Sequence, residues 1–185
     1  MVLSFATFLL DVKRKLERPQ VLKIAAIFIQ RCAKQNIQVD SSRLMKYLYF
    51  IFALYASRTP SDVPSDVPAF NGAAIAAIAG PVYPSITNTY FLSFGGQPIS
   101  QPLNDTEDNL SEFDAVLSKA VDDIVDIAND RSFTFLSSLS HRKPYDDARE
   151  SSDDVHLIPT QAIMEYYRSP EGKKDLEELL NCQPK

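Results

Sequence analysis

The sequence predicts a mainly α fold: one compact multi-helix domain carrying an additional N-terminal helix. Three observations predict it. Apolar residues recur at three- and four-residue spacing through several segments. Only 5 glycines occur in 185 residues, too few for an all-β fold built on many tight turns. Prolines stand where helices would start or stop, as at Pro19, Pro84, Pro159 and Pro170.

In chain order, Ser4 can cap a first amphipathic helix that ends near Arg18, with Phe5, Phe8, Leu9, Val12 and Leu16 on its stripe. A second helix is expected from about Gln20 to Gln35, apolar on both faces and therefore much buried. Asp40 or Ser41 caps a third, to about Ser57, with Leu44, Tyr47, Leu48, Ile51, Phe52 and Tyr55 on its broad face. SDVP then occurs twice in tandem, at 61–64 and 65–68, and reads as an extended exposed loop. The Ala-rich stretch 70–79 reads as a short helix ended by Gly80-Pro81, and Pro84 opens another, PSITNTYFLSF.

After a polar loop over 95–109, Ser111 and Asp114 form a near capping box ahead of the stripe Phe113, Val116, Leu117, Ala120, Val121 and Ile124. Ser132 caps a short helix to Ser140-His141. Pro144 starts a turn, PYDDARE. Residues 155–158 can be extended, and Pro159 and Pro170 open the last two helices. No strand pair stands out. The expected division is an accessory helix at 1–18, a helical domain at 20–168, and a C-terminal helix and tail at 169–185.

Composition narrows the function classes. Hydrophobic residues make up 45% and charged residues 23%, enough to bury a core without excess charge. The net charge of -5 is uneven: residues 1–50 hold nine Lys/Arg against three Asp/Glu, and the remainder is acidic. The cluster Lys13, Arg14, Lys15 and Arg18 is modest for a nucleic-acid face, and no helix-turn-helix with a basic recognition helix is visible. Neither GxGxxG nor GxxxxGK[ST] occurs, so no phosphate-binding loop or nucleotide cofactor is expected. Cys32, Cys182, His141 and His156 are too few and too scattered for a standard zinc site. No apolar run reaches the ~20 residues that span a bilayer, and the N-terminal run Leu3–Leu10 lacks the flanks of a signal peptide. A cytoplasmic protein without a membrane partner is expected.

Four stretches, in this order, resemble the Panacea domain of SocA-like antitoxins and some phage-associated proteins. SSRLMKYLYFIFALY, 41–55, is similar to the family's Lys-containing helix. AGPVYPSI, 79–86, is similar to its Gly-Pro-Val turn followed by a proline. LSSLSHRKPYDDAR, 136–149, resembles a Leu-x-x-Leu-[Ser/Thr]-His stretch followed by Pro-Trp and an Ala-Arg pair. LIPTQAIMEYY, 157–167, resembles a terminal helix ending in paired aromatics. Tyr145 stands where the family has Trp, the loop before Phe70 is longer and proline-rich, and residues 1–18 are an addition. The resemblance implies an antitoxin that neutralises a cognate protein toxin by binding, in one branch as an adaptor that delivers the toxin to an ATP-dependent protease.

Several residues carry two readings. His141 beside Ser140, oriented by Asp146 or Asp147, could be a hydrolytic base, or a helix-terminal histidine bonding last-turn carbonyls. The run Gly80, Pro81, Val82, Tyr83, Pro84 and Ser85 is either a rigid corner or a presented binding loop with Tyr83 as its anchor. Tyr49 falls off the main apolar face of its helix and is a candidate exposed aromatic. The pairs Asp122-Asp123, Asp146-Asp147 and Asp153-Asp154 read either as acid–base couples or as charge on solvated faces. With no nucleophile elbow, metal set or cofactor loop, no catalytic residue is assigned. A hydrolase using His141 and an operon-regulating DNA-binding protein are the rival functions.

Overall fold

A computed structural model describes residues 21–59, 74–103, 107–152 and 154–181. The accessory helix at 1–18, the tandem SDVP loop and Cys182 lie outside them. Two helices open the described chain, α1 (Val21–Lys34) and α2 (Ser41–Arg58). Asp40 starts α2 by accepting from the backbone N–H groups of Ser42 and Arg43, each at 2.9 Å. Every residue of α2 from Leu44 to Ala56 is buried. An apolar sequence on all sides of a helix is stable only when protein surrounds it, and α2 is accordingly enclosed, with further helices following it in the chain.

Those helices are α3 (Pro84–Ile86), a π-helical turn (Thr87–Phe91), α4 (Leu92–Phe94), α5 (Leu110–Phe113), α6 (Ala115–Ile127), α7 (Phe133–Ser140), α8 (Lys143–Glu150), α9 (Thr160–Arg168) and α10 (Pro170–Asn181). α6, α9 and α7 make the most extensive contacts with α2. The fold is mainly α, as expected. The capping box expected at Ser111 is instead a break: Asp114 leaves helical geometry at φ -155° and caps α6 by accepting from Leu117 N–H at 2.9 Å.

The described part of the Ala-rich stretch, 74–79, does not form the expected helix. Residues 74–77 form β1 (Ala74–Ala77), paired antiparallel with β2 (Gly80–Val82) and with β3 (Leu157–Ile158), in the order β2-β1-β3. The expectation of no strand pair is corrected with it. Alanine has the highest helix propensity, but a helix of so few residues cannot recover the cost of its first turn. Gly80 and Pro81 then deny it a last turn, and antiparallel pairing with β2 and β3 prevails.

Two arginines tie the periphery down. Arg31 of α1 grips both oxygens of Asp108, at 2.8 and 2.6 Å, and reaches Asp122 of α6 at 2.9 Å. Buried Arg131 donates to the carbonyls of Leu179 and Leu180, at 2.9 and 3.2 Å, at the C-terminal end of α10. With Leu176 and Leu179 buried, α10 packs on the core. Cys32 is a buried free thiol whose pKa burial pushes up to about 12, so it stays protonated and unreactive.

Candidate functional site

The β1–β2 hairpin is where the singled-out stretches converge. Its register pairs Ile75 with Val82, Ala76 with Pro81 and Ala77 with Gly80, leaving Ile78 and Ala79 at the turn. Pro81 is tolerated because the Ala76–Pro81 pair points its polar groups apart. Ala76 N–H donates to His156 O at 3.0 Å, and the Pro81 carbonyl faces the outer edge, so the missing Pro81 N–H costs the ladder nothing.

Side chains from three helices hold this hairpin by its carbonyls. Lys46 Nζ of α2 donates to Pro81 O at 3.1 Å, and Ser137 Oγ of α7 donates to Ala79 O at 3.0 Å. From α8, Tyr145 Oη donates to Ala77 O at 2.8 Å and Arg149 Nη1 to Ala76 O at 3.3 Å. Gly80 sits at φ +103°, where L side chains are strained. A Cβ there would lie 2.7 Å from both Lys46 Nζ and Ser140 Oγ. The stretches 41–55, 79–86 and 136–149 thus meet in one braced turn.

Lys46 is 2% exposed and pairs with no carboxylate among the described residues. Burial lowers its pKa to about 8. An amine so poised is a nucleophile when substrate can reach it. Here it is enclosed and held on a backbone oxygen, which makes it a brace. Sequence reasoning passed over it. The available signal was a single lysine in a helix with no polar face to carry it.

Two site expectations are corrected by burial. Tyr49 is 0% exposed and stacks edge-on against Phe50 and Tyr167, so it is core and not an exposed aromatic. Tyr83 is 1% exposed, so it does not project from the turn as an anchor. A lone period argument misplaced Tyr49 because α2 has no outside. Gly80 and Pro81 are buried, Val82 and Ser85 half-buried, and Pro84 is exposed as the first residue of α3.

His141 ends α7. Its backbone N–H, not its ring, bonds the carbonyls of Ser137 and Ser138, at 3.2 and 3.3 Å. The ring packs on Tyr145 with centroids 4.2 Å apart, and buried Nε2 has no hydrogen-bond partner among the described residues. Burial, then the nearby Lys46 charge, lower its pKa against the opposing pull of Asp146. Ser140 is fully buried, and its hydroxyl donates to Ser137 O at 2.8 Å, so Ser140 and His141 do not form a nucleophile–base pair. His156 is structural too. It turns the chain into β3 at φ +39°, with Nδ1 3.1 Å from Ala148 O.

No family model, curated protein or solved structure matches the chain.

What the braced hairpin offers to solvent is apolar. Ile78, at its tip, is 87% exposed. β1 buries Ala74 and Ala76 and turns Ile75 to the other face, the reverse of what core packing alone favours. Ile75 pairs with Val82 on one side and with Leu157, 48% exposed, on the other. Cross-strand partners share a face, so Val82, Ile75 and Leu157 form one apolar row across the sheet. Among the described residues no group of three His, Cys, Asp or Glu could hold a metal ion, and no helix is long and apolar enough to cross a membrane.

Proposed function

We propose that this chain is an antitoxin that neutralises a cognate protein toxin by direct binding, with the β1–β2 hairpin as its leading contact. One observation carries the reading: four helix side chains fix the hairpin so that an isoleucine, Ile78, stands in solvent at its tip. An exposed apolar tip on a fixed backbone is unfavourable to the isolated chain and favourable to a complex. It buries apolar area on docking, and its loop entropy is already lost. The sequence resemblance supports the same reading and supplies the class of partner.

The test is co-expression of the chain with the product of the adjacent reading frame, scored by growth and by co-purification. Ile78→Asp is expected to abolish rescue and weaken binding by at least ~30-fold, with an unchanged melting temperature. Full rescue by Ile78→Asp would remove the hairpin from the interface. A neighbouring product that is harmless when expressed alone would overturn the antitoxin reading itself.

A further inference from the structure

α8 has two working faces. Tyr145 and Arg149 brace the hairpin, while Lys143, Pro144 and Asp147 line a cleft of about 380 Å³ on its other side. Ala162, Glu165 and Tyr166 of α9, with Ser169 and Glu171, close that cleft. Its walls are mostly apolar, set by Pro144, Ala162 and the Tyr166 ring. The ring is held firmly: its hydroxyl donates to Asp175 at 2.6 Å, and it packs edge-on against Tyr167 with centroids 5.0 Å apart.

Three carboxylates face this cleft against one ammonium. Lys143 lies 3.0 Å from Asp147 in a solvent-exposed pair of the kind worth little. Glu165 accepts a hydrogen bond from Gln161 Nε2 at 2.7 Å, and Glu171 draws on its own turn. Neither forms an ion pair with a basic group among the described residues. The nearby guanidinium of Arg142 is already engaged by Asp175 and Glu178. The result is a mostly apolar cleft lined by a tethered tyrosine and by two carboxylates, Glu165 and Glu171, that have no basic partner among the described residues. That is the complement of a long aliphatic stem ending in a cation.

We propose that this cleft receives an arginine or lysine side chain of the protein partner, on the far side of α8 from the Ile78 contact. The proposal deepens the binding reading above and rests on it for the partner being a protein. The stem lies along Pro144 and Ala162, the cation sits over Tyr166, and Glu165 and Glu171 neutralise it. A partner carrying an apolar pocket for Ile78 and a basic residue for this slot is held on both faces of one helix, which fixes its orientation.

The full chain, isotopically labelled, is titrated with N-acetyl-arginine amide while the Ala162 methyl and Tyr166 ring signals are followed. Saturable shifts with a Kd on the order of 1 mM are expected, the range open to a ligand of this size. N-acetyl-norleucine amide, which has a stem and no charge, is expected to leave these signals unmoved. The double variant Glu165→Gln, Glu171→Gln is expected to weaken the arginine amide about 5-fold at unchanged melting temperature. No saturable shift, an equal response to norleucine amide, or indifference to the double substitution would each overturn the proposal. So would tighter binding of free arginine, which assigns the slot to a small molecule. Movement of the same signals with chain concentration alone would assign it to a second copy and likewise overturn it. None of these outcomes bears on the Ile78 test.

Discussion

Lys46 Nζ and the Pro81 carbonyl meet at 3.1 Å, joining the second turn of the buried helix α2 to the outer edge of the hairpin. The contact combines a buried cation with a carbonyl that the sheet leaves unpaired. Its energetics depend on pH. Lys46 has a folded pKa near 8, below the ordinary value of 10.5, so folding disfavours its protonated form. At pH below 8 the full penalty of burying the charge is present. Between 8 and 10.5 the unfolded chain binds more protons than the folded one, so stability rises with pH. Over pH 8 to 10 the gain is about 2 kcal/mol. Urea denaturation across that range is expected to show the rise in the native chain and its loss in Lys46→Met.

Gly80→Ala is expected to cost about 2 kcal/mol. The new Cβ meets Lys46 Nζ and Ser140 Oγ at 2.7 Å, and the backbone must hold φ +103° with a side chain. Thermal and chemical denaturation check this. An undiminished stability would mean that the hairpin can shift away from α2, and the brace would then be weaker than its geometry.

Tyr83→Ala is expected to destabilise the free protein by ~3 kcal/mol or more, because the ring is enclosed in the core. Any loss of partner binding should then follow the loss of folded protein. Affinity and melting temperature measured on the same variant separate this from a contact residue, which would lose binding at constant stability.

Asp108→Asn is expected to lower stability by about 2 kcal/mol at neutral pH. It removes the bidentate acceptor of Arg31 that ties the segment before α5 to α1. The Arg31 guanidinium holds the Asp108 carboxyl below its ordinary value. The contribution is therefore present above the unfolded carboxylate pKa and is lost as pH falls through the depressed one. Acid titration of stability is expected to show that loss in the native chain and a shallower one in Asp108→Asn.

Most helices were legible in the sequence because their signals are local; the exceptions are PYDDARE, expected as a turn but forming α8, and PSITNTYFLSF, expected as one helix but interrupted by a π-helical turn. Apolar spacing placed α1, α2 and α6, and side-chain caps at Asp40 and Ser132 marked where α2 and α7 begin. Proline likewise marked the starts of α3 and α10. The quoted stretches contained the residues that matter, Lys46, Gly80, Pro81, Ser137 and Tyr145, without showing that they meet. The cleft was not legible, since it is space between α8, α9 and α10 and has no residue pattern of its own.

By itself, then, the sequence determined a mainly α chain with an α1 apolar on both faces, because helix periodicity and capping act within a few residues; that α2 is enclosed on every side from Leu44 to Ala56 was decided by the tertiary structure. Only the tertiary structure decided that residues 74–77 are the central strand of a sheet, since they pair on one side with the adjacent β2 and on the other with Leu157–Ile158, some eighty residues away. Only it decided that Tyr49 and Tyr83 are core while Ile78 faces solvent. Burial is a property of what surrounds a side chain, and for this hairpin the surroundings are carbonyl-directed side chains contributed by three separate helices.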